Sequence, residues 1–219
     1  WWTGSGSSAL PSLMWKRAKG FFDVVAYTGT GSNRTVPHSL GVVPEMIWVK
    51  SRNNAKSWAV YHPSSHAAGN TIFLDNNHAG AGVGSFQSTA ASATTFNVDT
   101  AQYTNESGWK YIAYLFATLD GISKVGSYTG TGSDINVDCG FSAGARFVLI
   151  KRIGATGDWY VYDTLRGIVA GADPFLKLNT TDAQDAGNDG IDPLSSGFIV
   201  TSSSGNNTSG GTYIFYAIA

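Results

Sequence analysis

Four aspartates crowd into the loop TTDAQDAGNDGIDP (180–193), and three of them, Asp185, Asp189 and Asp192, are the candidate ligands. With Gly190 they partly match the spacing of a calcium loop, where carboxylates and carbonyls close around one hard cation. Two positions break that pattern, because Gly187 stands at the third and Ser196 stands where a bidentate Glu is needed. The 182–192 loop is therefore the candidate Ca²⁺ site, with a solvated turn cluster as the other reading, since Asp, Asn and Gly are ordinary turn residues. No other cofactor is expected. The four histidines, His38, His62, His66 and His78, all lie in the first half of the chain. His62 and His66 are spaced for a zinc pair on a helix, but Pro63 and the serines after it argue against that helix. His62, His66 and His78 are read instead as loop residues open to ligand contact, together with Asp163, which stands where His62 does in the repeat described next. Asp158 with Asp163, or Asp75 with Asp99, supply carboxylates for a glycosidase, but sequence spacing does not set them across a sugar bond. Cys139 is the chain's single cysteine. No catalytic residue is named, and a non-enzymatic protein is expected.

The elements that position these residues come in two copies. AYTGTGS (26–32) recurs as SYTGTGS (127–133), 101 residues on. At that offset EMIWVK (45–50) faces RFVLIK (146–151), and SWAVYH (57–62) faces DWYVYD (158–163). Further on, ESGWKYIAYLFA (106–117) matches TSGGTYIFYAIA (208–219), and Asn105 falls on Asn207. A tandem duplication over 21–120 and 121–219 follows, preceded by a linker or docking segment, 1–20. The Gly-rich string is a turn used twice: a phosphate loop needs a helix after it, and β-branched and turn residues follow here. Tyr27, Trp58 and Tyr61, with Tyr128, Trp159 and Tyr162, are expected to anchor the two cores. Trp109 has no counterpart, since Gly211 stands opposite, and is the candidate for an aromatic contact with sugar.

Short apolar runs broken by Gly, Ser, Thr and Asn predict an all-β protein, two antiparallel, jelly-roll-like β-sandwiches of about 100 residues each. EMIWVK and RFVLIK are near-continuous, as in strands buried on both faces. Residues 10–15 are expected to cover an edge or the seam between copies. Charged residues make up 13%, the net charge is −1 and the pI about 6.4, which leaves no electrostatic footprint for nucleic acid. No apolar run reaches the length of a membrane-spanning helix. The opening WWTGSGSS has no signal-peptide pattern and no initiator Met, so a fragment or processed product is expected.

The run WKRAKGFFDVVAYTGTGSNRTVPHSLGVVPEMIWVKSRN…WAVYH resembles a domain of tailed-bacteriophage virion proteins, and GFSAGARFVLIKR…GDWYVYDTLRG…YIFYAIA is similar to a segment of phage tail and tail-fibre proteins. The resemblance covers 15–219. It implies a structural or receptor-engaging part of a tail fibre, spike or appendage, in a virion assembled in the host cytoplasm. Other virion proteins and a homotrimer are the partners it implies, with a host-surface glycan or protein met by the end loops. A polysaccharide depolymerase and a secreted bacterial adhesin are the alternatives.

Overall fold

The computed structural model describes residues 13–66, 70–89, 91–202 and 204–219. Leu10 of the N-terminal segment lies outside these. The first repeat holds β1 (Phe22–Thr28), β2 (Arg34–Pro37), β3 (Met46–Ser51), β4 (Ala59–Tyr61), the one-turn helix α1 (Pro63–His66), β5 (Ile72–Phe73), β6 (Thr95–Val98) and β7 (Lys110–Phe116). The second holds β8 (Ser123–Thr129), β9 (Ile135–Asp138), β10 (Phe147–Ile153), β11 (Trp159–Asp163), β12 (Leu176–Lys177), β13 (Ile191–Leu194), β14 (Gly197–Val200) and β15 (Thr212–Ile218). The protein is all-β and antiparallel. Nested pairs, β1 with β7 and β2 with β6, give the first repeat its jelly-roll character; β8 with β15 and β9 with β14 do so in the second.

Each repeat is a sandwich with a five-stranded sheet, β1-β7-β3-β4-β5 or β12-β11-β10-β15-β8, backed by a smaller one, β2-β6 or β13-β14-β9. The two large sheets then pack face to face, so the layers run small, large, large, small. That explains the continuous apolar runs. On β3, Ile47 and Val49 face the small sheet of their own repeat, while Met46 and Trp48 face the other copy. On β10, Val148 and Ile150 face inward to their own sandwich, and Phe147 and Leu149 meet the first repeat. Alternation is lost because both faces of these strands are dry.

The repeated turn is held in the same way twice. Asn105 and Asn207, both buried, act as clips. Asn105 Oδ1 accepts from Thr30 N at 2.9 Å, and its Nδ2 donates to Ser32 O and Asp99 O at 2.7 and 2.9 Å. Asn207 does the same for Thr131 N, Ser133 O and Thr201 O at 2.9, 2.7 and 2.9 Å. The first glycine of each GTG is required by close approach: a Cβ on Gly29 or Gly130 would lie 2.2 Å from Glu106 O or 2.3 Å from Thr208 O. The second, Gly31 or Gly132, has a positive φ that L side chains rarely adopt. Tyr27 stacks on Tyr111 and Tyr128 on Tyr213, with centroids 5.3 and 5.0 Å apart. Tyr27 and Tyr128 donate to Thr104 O and Asn206 O, and burial holds both hydroxyls above the ordinary tyrosine range.

Among the described residues no helix is long and apolar enough to cross a membrane. One local expectation is corrected. Pro63 does not prevent a helix but opens one, at the first position, where its missing N–H is no loss. His62 precedes it, and its Nδ1 accepts from Ser64 N at 3.2 Å.

Candidate functional site

Trp58 and Trp159 hold equivalent backbone positions. Trp58 N donates to Asp75 Oδ1 at 3.1 Å and Trp159 N to Asn179 Oδ1 at 2.8 Å; their carbonyls accept from Leu74 N and Leu178 N. Their side chains differ. Trp159 is fully buried in the shared core, and its indole N–H donates to Phe73 O of the first repeat at 2.8 Å. Trp58 is only half-buried. The expectation of one shared anchoring role therefore needs correction: the large sheets do not meet as symmetric mates. Lys151 shows the same asymmetry. Fully buried, it donates to Gly157 O at 2.6 Å and across the seam to Asn77 O at 3.3 Å, whereas Lys50 bonds only within its own turn, to Ser51 O and Asn54 O. Burial pulls the Lys151 pKa down to about 8.

Where Trp58 is left uncovered, a cleft of about 790 Å³ opens. Its floor is a cross-strand row of the first large sheet. Val24 on β1 pairs with Tyr114 on β7, Tyr114 pairs with Trp48 on β3, and Trp48 with Val60 on β4. All four side chains point to the same face because paired residues in a sheet do so. Trp58 and Tyr114 lie 5.9 Å apart at 31°, forming a nearly continuous aromatic surface, and Asp75 supplies the one carboxylate of the lining among the described residues. Trp15 closes one end. It packs edge-on against Trp48, Phe116 and Phe147, and so bridges both repeats, while Met14 beside it is 89% exposed. Trp48 itself is 5% exposed, and its indole N–H is buried with no acceptor among the described residues. An aromatic cleft of this size with few polar groups suits a small ligand held by stacking.

The residues singled out from the sequence do not assemble into one site. Asp185 Oδ1 accepts from Gly187 N at 2.9 Å, and its Oδ2 accepts from Asn188 Nδ2 at 2.9 Å. Asp192 accepts from Gly171 N at 3.0 Å, and Asp189 accepts from the Thr201 hydroxyl through its main-chain carbonyl. Burial and the neighbouring charges of Asp192 and Asp134 raise the Asp189 pKa. These carboxylates are set in turns, and among the described residues no group of three His, Cys, Asp or Glu is placed to hold a metal ion. Asp163 caps the turn after β11, accepting from Leu165 N and Arg166 N and pairing with the Arg166 guanidinium. Trp109 is half-buried against the outer core of the first repeat rather than a free platform. Tyr162 is buried and accepts from Asn206 Nδ2, while half-buried Tyr61 packs against His66 and Phe86. His78 is exposed. Sequence reading passed over Trp48, although the criterion that picked Trp109 applied to it: Leu149 stands opposite.

His62 is buried at the seam, near the carbonyl of Gly126 on β8, and burial lowers its pKa to about 4. Unfolding restores an ordinary value near 6.5. Between those values the unfolded chain binds a proton that the folded chain does not. Stability from this source is complete above about pH 6.5 and is lost as pH falls through 4. The full linkage is on the order of 3 kcal/mol. Thermal melts of the wild type should therefore fall more steeply from about pH 7 to pH 4.5 than those of His62→Gln; parallel curves would contradict the assignment.

A family model described as "Domain of unknown function (DUF7483)" matches residues 5–219. No curated protein and no solved structure matches the chain.

Proposed function

The chain belongs to the DUF7483 family, and we propose that it is a non-enzymatic adhesion component of a bacteriophage virion that holds host-surface glycan in the cleft between its two repeats. The observation that carries this reading is the aromatic floor of Trp48, Trp58 and Tyr114, with Asp75 at its edge, built on strands of a rigid core. Pyranose rings present apolar C–H faces that stack on such rings, and one carboxylate orients their hydroxyls. A floor fixed by sheet pairing needs no reordering when ligand arrives, which keeps the entropic cost of binding low. The virion setting, in a tail fibre, spike or appendage with a homotrimer and other virion proteins as partners, is supported by the resemblance of residues 15–219.

The test is a glycan array probed with the whole chain and with Trp58→Ala. Binding is expected to weaken at least about tenfold in Trp58→Ala, with unfolding changed by about 1–2 kcal/mol because the ring is only half-buried. Trp109→Ala should bind as wild type. Release of reducing ends from capsule would move the protein to the depolymerases, and equal binding by wild type and Trp58→Ala would remove the cleft from the account.

A further inference from the structure

The cleft also constrains which sugar it takes, an inference that rests on the adhesion reading above. The constraint comes from Asp75. Its Oδ1 accepts from Trp58 N, the bond that Asn179 Oδ1 makes to Trp159 N in the second repeat. A neutral amide therefore serves for that bond, and the negative charge of Asp75 is surplus to it. The other ends of the two side chains differ as well. Asn179 Nδ2 donates to Asp158 Oδ1 at 2.9 Å, whereas Asp75 Oδ2 has no partner among the described residues. Asp75 is exposed at the cleft wall, and no described Lys, Arg or His lines the cleft with it. A carboxylate so placed beside the electron-rich faces of Trp58 and Tyr114 offers a cation both a counter-ion and a ring to lie against. A hydroxyl gains only a hydrogen bond there, and an anion meets repulsion.

We infer that the cleft recognises amino sugars whose amine is free and protonated, the ammonium pairing with Asp75 Oδ2 while the pyranose ring stacks on Trp58 and Tyr114. A plain hexose fills the stacking surface and offers Asp75 a hydroxyl only. N-acetylation keeps the ring and removes the charge. A uronic acid brings a second negative charge.

The experiment is calorimetric titration of the full chain, at a pH that keeps the amine charged, with four tetrasaccharides: the glucosamine tetramer with free amines, its fully N-acetylated form, cellotetraose and tetragalacturonate. The free-amine tetramer is expected to bind about fivefold tighter than each of the others, the worth of an exposed ion pair together with a cation–π contact. Raising the salt to about 1 M, where charges are screened within a few ångströms, should shrink that preference. Asp75→Asn keeps the acceptor for Trp58 N, as Asn179 does for Trp159, and should bring the free-amine tetramer and cellotetraose to within about twofold of each other. Asp120→Asn removes the same charge from an exposed position outside the cleft and should keep the preference. Cellotetraose or the acetylated tetramer binding as tightly as the free-amine tetramer overturns the sugar assignment and leaves adhesion standing, as does tightest binding of the uronate. A preference that survives in Asp75→Asn, or falls equally in Asp120→Asn, overturns the role given to Asp75. If none of the four binds, the array decides: bound glycans with a free amine uphold the assignment, and bound glycans without one overturn it. Binding to no glycan at all overturns both readings.

Discussion

Trp159→Ala is expected to lower the unfolding free energy by about 3–5 kcal/mol, the range for emptying a buried aromatic site. For a chain of this length that is a fall in Tm of roughly 10 °C. Two losses add. The indole is fully buried between the large sheets, so its removal leaves a cavity that close-packed strands on either side cannot collapse to fill. Its N–H also ties the second repeat to Phe73 O of the first, and that carbonyl would be left buried and unpaired. Trp159→Phe separates the terms, keeping most of the volume while removing the bond; it should cost about 1–3 kcal/mol. The contrast with Trp58→Ala is the informative part. The two residues align in the repeat, yet one substitution should act on stability and the other on binding. Equal stability losses, measured by denaturant melts, would show that the seam is symmetric after all.

Asn207→Ala should cost about 3 kcal/mol. The side chain is buried and makes bonds at both ends, accepting from Thr131 N and Gly132 N and donating to Ser133 O and Thr201 O. Alanine leaves Thr131 N without its acceptor and weakens the rest of the turn, where Gly132 N keeps Asn207 O, Ser133 O keeps the Thr131 hydroxyl and Thr201 O keeps Ser204 N. Asn207→Asp sharpens the case. It is nearly the same shape, but a carboxylate cannot donate and would face two carbonyl oxygens, so it should destabilise at least as much at neutral pH. Asn105 makes the matching bonds to Thr30 N, Ser32 O and Asp99 O in the first repeat, and the paired substitution there should have a similar effect. A mild Asn207→Asp variant would mean that the clip is ornamental and that the glycines alone shape the turn.

How much of this was legible depended on which contacts are local. The duplication, the turns and the stacked tyrosines repeat with fixed spacing, so aligning the copies exposed them. The apolar runs of β3 and β10 correctly suggested burial on both faces. What they could not say was that the second face meets the other copy, because a dry face carries no mark of its partner. The cleft was hidden for a related reason. Its residues come from β1, β3, β7, Trp58 just before β4, the turn after β5, Leu178 just after β12 and the segment at Trp15, distant in sequence and brought together by the sheets. Asp75, one of the carboxylates that sequence spacing cannot set across a sugar bond, holds the backbone of Trp58. The acidic loop drew attention by composition, yet its carboxylates do not converge: Asp185 caps its own turn, as Asp in Gly-rich loops usually does, while Asp192 reaches across to Gly171 N.

The claim that matters most is that ligand sits on the tryptophans between the repeats. Indole N–H resonances of the ¹⁵N-labelled chain, followed as a glycan bound on the array is added, report on each ring separately. Saturable shifts confined to Trp15, Trp48 and Trp58, with Trp109 and Trp159 unmoved, are the expected result. A titration in which Trp109 moves while the three cleft indoles stay still would contradict it and return recognition to the end loops.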